Sequence, residues 1–308
     1  MNVRKTLLTT LKAVLTLAVL YFVGRQVVVH WADVERFDWR IQPFPLFLSV
    51  SFGLVAFYIF SACWRAVIGG FGHRVSIAKS FKISYLSNLG RYIPGKVWQV
   101  FGMVYLTGRE GIAAEQAVAS FAITQIFAVP AAMLVYIVAA QFDSRILIDR
   151  IAMAGEGTAY MLTGLMVLFS VILVLKPGPF VWLANRILKM TGRPPAVFAL
   201  DKKVALLVFA GYVLGWICYG MAFWFFLVSI IGCQTANPVA AVGLFNGAYQ
   251  VGYLALFAPG GLGPRELVLG KLLEPFTLGL SAMLAVMARL WAILIEGIAA
   301  VIALSLRK

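Results

Sequence analysis

Six apolar runs, each long enough for a helix to cross a hydrocarbon layer about 30 Å thick, lie at 6–24, 44–64, 112–140, 155–175, 204–231 and 277–305. Two further apolar regions, 77–108 and 238–274, are each interrupted midway by a Pro-Gly pair. The interruptions are Tyr92-Ile93-Pro94-Gly95-Lys96-Val97-Trp98 and Phe257-Ala258-Pro259-Gly260-Gly261-Leu262-Gly263-Pro264-Arg265-Glu266. Proline removes a helical hydrogen bond and glycine admits left-handed backbone, so neither region reads as a simple span. The pattern predicts an all-α polytopic membrane protein with six transmembrane helices and two re-entrant helical hairpins broken at their tips.

The charges between the runs support that count. Arg4 and Lys5 precede the first run. Arg65, Arg74, Lys79 and Lys82 follow the second without an acid. Lys176, Arg186, Lys189, Arg193, Lys202 and Lys203 follow the fourth against Asp201 alone, and the chain ends Arg307-Lys308. The intervening connectors are near balance, with Asp33, Glu35 and Asp38 in one and Asp143 and Asp149 in the other. The positive-inside rule then places both termini in the cytoplasm of a plasma (inner) membrane. The alternation holds only if each interrupted region enters and leaves on the same side, the first from the cytoplasm and the second from outside. Pro94-Gly95 falls on Pro259-Gly260 at an offset of 165 residues, which also carries Ile112 onto Thr277. Such opposed hairpins form an inverted repeat, about 44–140 against about 204–305, an architecture that secondary transporters build around a midplane site. The connector 176–203 carries apolar residues at helical spacing and predicts an amphipathic helix on the cytoplasmic leaflet.

Composition agrees. The chain is 62% hydrophobic and 12% charged, against about 45–50% and about 25% for a soluble domain. The net charge of +14 sits in short connectors, which fits topogenic charge and acidic lipid surfaces and not nucleic acid. Cys63, Cys218 and Cys233 form no CxxC, and His30 and His73 stand apart from acid clusters, so no metal site or cofactor is expected. The start resembles a signal peptide, but its run carries Lys12 and no small-residue cleavage site follows, so it reads as a retained first helix. No P-loop motif is present.

The candidate chemistry lies at the two breaks and on the last run. Irregular backbone at membrane depth is tolerated only where protein or a wet cavity satisfies it. The first break contributes Arg91, Pro94, Gly95 and Lys96. The second contributes Gly260, Gly261 and Gly263, whose backbone can approach an anion closely, then Pro264 at a favoured first helical position, and Arg265 and Glu266 in the first turn. Arg289 and Glu296 are seven residues apart, on one helix face. Charges at that depth seek partners. Glu266 is the natural partner of Arg289, and Lys96 or Arg91 of Glu296. Four cations against two acids leave an excess that a phosphate-bearing ligand would neutralise. Asn88, Trp98, Gln99, Gln125 and Gln250 flank the breaks as packing or hydrogen-bonding residues.

With these residues in view, Ser84-Tyr85-Leu86-Ser87-Asn88-Leu89-Gly90-Arg91-Tyr92-Ile93-Pro94-Gly95-Lys96-Val97-Trp98 and Ala258-Pro259-Gly260-Gly261-Leu262-Gly263-Pro264-Arg265-Glu266 resemble the lysylphosphatidylglycerol synthase transmembrane-domain family over nearly the whole chain. In two-part aminoacyl-phospholipid proteins of that kind, this domain is the flippase half and a soluble synthase follows. This sequence stops at Lys308, so no synthase half is expected. The resemblance implies a non-enzymatic lipid translocase, its substrate an anionic lipid such as a polyprenyl-phosphate-linked sugar or a modified phospholipid. Pro264 departs from the less rigid residue expected before Arg-Glu. Two alternatives stay open: a membrane glycosyltransferase using Asp33, Glu35 and Asp38, and a non-transporting scaffold partnering lipid- or glycan-synthesis enzymes.

Overall fold

The computed structural model describes residues 41–92, 97–143, 156–176, 201–232, 237–255, 258–277 and 280–306, with single positions elsewhere. The first predicted run, 6–24, and nearly all of the connector 176–203 lie outside the described residues. The described chain is all-helical: α1 Pro43–Gly69, α2 Ile77–Asn88, α3 Trp98–Gly108, α4 Ala114–Phe142, α5 Glu156–Leu175, α6 Lys202–Ile231, α7 Pro238–Leu254, α8 Pro264–Thr277 and α9 Ser281–Ser305. Short 3₁₀ turns, Leu89–Tyr92 and Pro259–Gly261, follow α2 and α7.

Among the described residues four helices, α1, α4, α6 and α9, are long and apolar enough to cross a membrane. This is an integral membrane protein. Large apolar side chains stay on the outer surface, among them Phe44 and Phe47 of α1, Leu206 and Leu207 of α6, and Leu290 and Leu294 of α9. A water-facing surface would seldom carry so many; hydrocarbon accepts them. By contrast α2 and α3 have 12 and 11 residues. At 1.5 Å per residue each reaches only about 16–18 Å, too short to span. The last span begins at Ser281 and not at Thr277: α8 continues through Pro275 to Thr277 before the chain restarts as α9. Matching span starts therefore fall at Ala114 and Ser281, 167 residues apart, near the 165 of the two Pro-Gly pairs.

Side-chain contacts fix the helix directions. Ser49 Oγ donates to Ala222 O (2.7 Å) and Cys63 Sγ to Val208 O (3.6 Å), so α1 and α6 are antiparallel. Trp291 Nε1 donates to Ser49 Oγ (2.7 Å), and Ile295 packs on Gly53, so α9 runs parallel to α1. Lys79 meets Glu110, Asn88 meets Gln99 and Ser87 meets Gly102, making α2 and α3 an antiparallel pair. Gly220 abuts Val242 and Trp216 O accepts from Asn246, so α7 runs back along α6. The tight pair α8–α9 is likewise antiparallel, with Gly270 against Ala282 and Glu266 against Arg289. The two short-helix pairs thus approach the middle from opposite ends, and their 3₁₀ turns touch.

Lipid offers no hydrophobic drive for helix association, so close packing and interhelical hydrogen bonds carry it. The core is aromatic. Tyr219 and Phe223 of α6 pack on Phe245 of α7 with ring centroids 4.8 and 4.9 Å apart, and Phe226 packs on Trp291 of α9 at 5.3 Å. Gly220 brings α7 in: a Cβ there would lie 2.8 Å from Val242 Cα, backbone that cannot move aside. Gly164 of α5 faces open space. The same substitution should therefore act with opposite signs. Gly220→Ala is expected to cost about 1–3 kcal/mol through overpacking, and Gly164→Ala to gain about 0.5–1 kcal/mol by reducing unfolded-chain entropy. Unfolding midpoints of the two variants in detergent check this.

Candidate anion site between the two breaks

The last helix supplies the anchor points. In the 25-residue α9, Arg289 and Glu296 each lie within about 6 Å of the helix midpoint at 1.5 Å per residue. Both are buried, at 7% and 5% exposure. One break reaches each of them.

Glu296 is held by the first break. Arg91 Nη2 lies 2.9 Å from Glu296 Oε1, and Tyr92 OH donates to Oε2 at 2.7 Å. Arg91 also donates through Nη1 to Tyr249 OH at 2.7 Å, tying the break to α7. The 3₁₀ turn after Asn88 makes this possible, since its tighter winding brings Arg91 and Tyr92 toward α9 together. Of the two partners expected for Glu296, Arg91 is the one in place. Pro94, Gly95 and Lys96 fall outside the described residues.

Arg289 faces the second break. Three glycines with positive φ, Gly260 (56°), Gly261 (73°) and Gly263 (96°), lead into α8. Side chains are excluded there twice over. A Cβ on Gly261 would sit 2.7 Å from Gly252 O, and one on Gly260 would sit 2.8 Å from Arg289 Nη2. Pro264 opens α8 as expected. Glu266 in its first turn accepts from Gly263 N at 2.6 Å, half of a capping box. Its other oxygen lies 3.7 Å from Arg289 Nε: an ion pair, too long for a hydrogen bond. Among the described residues Arg289 Nε and Nη2 have no hydrogen-bond partner, and its guanidinium lies over the Tyr92 ring at 5.5 Å.

Arg265 completes the group and differs from the rest. It is 5% exposed, and no carboxylate pairs with it among the described residues. Its guanidinium lies over the rings of Phe245 and Tyr249, at 5.0 and 4.7 Å, and Nη2 has no hydrogen-bond partner among the described residues. Aromatic faces attract a cation but do not neutralise it. Among the described residues three arginines therefore face two glutamates, and the surplus positive charge rests on Arg265. Beside it lies a cavity of about 210 Å³ walled by Arg91, Arg265, Tyr249, Gly252, Gly260 and Gly261.

Three participants escape sequence reasoning: Tyr92 as a donor to Glu296, Tyr249 as the bridge between Arg91 and Arg265, and Phe245 beneath Arg265. Nothing in spacing separates them from ordinary core aromatics in a chain that is 14% aromatic. Of the flanking polar residues, Gln99 donates to Asn88 Oδ1 at 2.6 Å, Trp98 is half exposed, and Gln125 and Gln250 line a second cavity next to the first.

The family description that matches this chain is the lysylphosphatidylglycerol synthase TM region, over residues 9–303. The chain belongs to that family. The match takes in both breaks and α9 as far as Ala303, so the cluster lies wholly inside the family's membrane region. Comparison with curated proteins gives no match.

The first ion pair should behave as a unit. Removing one member of a buried pair strands the other and costs about 3–5 kcal/mol, whereas replacing both with neutral side chains of similar volume is far milder. Arg91→Met is expected to lower stability by that amount, and Arg91→Met/Glu296→Gln to regain most of it, as read from detergent unfolding curves of the two variants.

Proposed function

We propose that this chain is a translocase that carries an anionic, phosphate-bearing lipid from one leaflet to the other. The observation that carries the reading is Arg265, a buried guanidinium held on two aromatic rings, beside a cavity, with no carboxylate partner among the described residues. A buried unpaired cation is costly, and a phosphate monoester or diester would remove that cost with charge-assisted hydrogen bonds. The N-terminus of α8, with its positive dipole end, lies at the same place.

In this reading the two short-helix pairs are opposed re-entrant hairpins in an inverted repeat of six spans, with both termini on the cytoplasmic face of the plasma membrane. The headgroup sits between the two breaks while the acyl or prenyl tails stay in the bilayer. The crossed pairs, Arg91 with Glu296 and Glu266 with Arg289, bind each hairpin to α9 separately. One hairpin can therefore swing while the other holds, opening the site to one side at a time. No bond is made or broken in the lipid.

The test is leaflet exchange in proteoliposomes, using fluorescent phosphatidic acid, phosphatidylglycerol and phosphatidylinositol, with phosphatidylcholine as the uncharged comparison. Dithionite quenches only the outer leaflet. Wild-type protein is expected to expose inner-leaflet acidic lipid to quenching, and Arg265→Gln to reduce its quenching to that of empty vesicles. No exchange of any acidic lipid, or equal exchange by Arg265→Gln, contradicts the reading.

A further inference from the structure

Next to the arginine cavity lies a second chamber of about 130 Å³, and the two share Arg91, Gln99 and Tyr249 as common wall. The ion pairs do not account for its lining. Its lining includes the rings of Tyr85, Trp216 and Tyr249 and the amides of Asn88, Gln99, Gln125 and Gln250. Gln250 is the telling residue. It is 1% exposed, yet neither Oε1 nor Nε2 has a hydrogen-bond partner among the described residues. Ser84 Oγ, lining the same chamber, likewise has no partner among the described residues. Asn88 and Gln99 share one hydrogen bond at 2.6 Å, from Gln99 Nε2 to Asn88 Oδ1, and that bond uses neither the Asn88 amide nitrogen nor the Gln99 amide oxygen. No acidic side chain lines either chamber among the described residues. Both nearby glutamates are already engaged, by Arg91 and Tyr92 and by Gly263 N and Arg289.

From this lining we infer that the headgroup carries a neutral polyhydroxyl group, a sugar or cyclitol, next to its phosphate. The inference rests on the anion-site reading and specifies its substrate class. Such a ring has two kinds of surface. Its C–H faces are apolar and suit aromatic walls. Its hydroxyls both donate and accept, which is what an amide side chain matches with its two ends. The phosphate would sit at Arg91 and Arg265, with the polyol beyond it against Gln250 and Ser84. An ammonium-bearing headgroup fits poorly, since it would meet arginines and find no free carboxylate. A bare phosphate leaves the Gln250 amide unpaired.

Four probe lipids distinguish these cases: phosphatidylinositol, phosphatidic acid, phosphatidylcholine and lysyl-phosphatidylglycerol, each titrated onto the full chain in detergent and read by native mass spectrometry. Wild type is expected to bind phosphatidylinositol roughly tenfold more tightly than phosphatidic acid, the scale of one or two net hydrogen bonds, and lysyl-phosphatidylglycerol more weakly than either. Gln250→Leu should bring the phosphatidylinositol to phosphatidic acid ratio to about one. Because it replaces an unpaired amide with an apolar side chain, its unfolding midpoint should not fall. Ser84→Ala, a smaller change, should lower the same ratio and provides a check if the first variant does not fold. Equal binding of phosphatidylinositol and phosphatidic acid by wild type, a ratio unmoved by both variants, or tightest binding of lysyl-phosphatidylglycerol overturns the polyol inference while leaving the anion site standing. Phosphatidic acid binding that is absent, or that survives in Arg265→Gln, overturns the anion site and the inference with it.

Discussion

Charge and broken backbone are each expensive in hydrocarbon, and this fold places them so that each offsets the other. A helix that stops at membrane depth exposes backbone groups that lipid cannot bond. An arginine or glutamate at the middle of a spanning helix is penalised for the same reason. Here α9 carries one of each near its midpoint, and each is met by a break arriving from the opposite end of the bundle. Arg91 and Tyr92 close on Glu296, and Glu266 on Arg289. Without the charges on α9 the breaks would lack anchors, and without the breaks those charges would lack partners.

The rest of the packing serves that meeting. Trp291, two residues from Arg289, is fixed through Ser49 to the backbone of α6, so the last helix is held in register against α1 and α6. Gly220 draws α7 close to α6, and Gly252 and Gly261 then let the second break fold back onto α7 until Arg265 lies on Phe245 and Tyr249. The two ion pairs are not equivalent. Glu296 has a close guanidinium and a phenol, whereas Glu266 has a cap and a more distant arginine. On the proposed account the looser second break is the side on which an incoming phosphate has most to gain, because Arg289 and Arg265 both keep unbonded nitrogens there.

Much of this is legible in the sequence because membranes restrict what a chain can do. Apolar runs of spanning length predicted α1, α4, α5, α6 and α9 to within a few residues at most ends, and Pro-Gly in 77–108 and 238–274 marked where helices could not continue. Charges at membrane depth seek partners, so Glu266 with Arg289 followed from scarcity, whereas scarcity left Glu296 open between Arg91 and Lys96 and the structure brings Arg91 to it. The restart at Ser281 was hidden, since apolar character continues through the α8–α9 junction and hydropathy does not resolve it. Tyr92, Tyr249 and Phe245 were hidden for a different reason: an aromatic residue in an apolar run has the same local signature whether it faces lipid, fills the core or carries a guanidinium. Gln250 stood out only as one polar residue among several. Its distinction, an amide buried without a partner, exists only in three dimensions.

The central claim is that the uncompensated charge at Arg265 is there for a phosphate-bearing lipid. The most direct measurement is the mass of what the protein keeps through gentle extraction and delipidation, compared between wild type and Arg265→Gln by native mass spectrometry. The account predicts a phosphate-bearing lipid adduct on the wild type that is lost from an otherwise folded variant. A wild type without such an adduct, or the same adduct on both proteins, would contradict it and leave the cluster a purely structural lock.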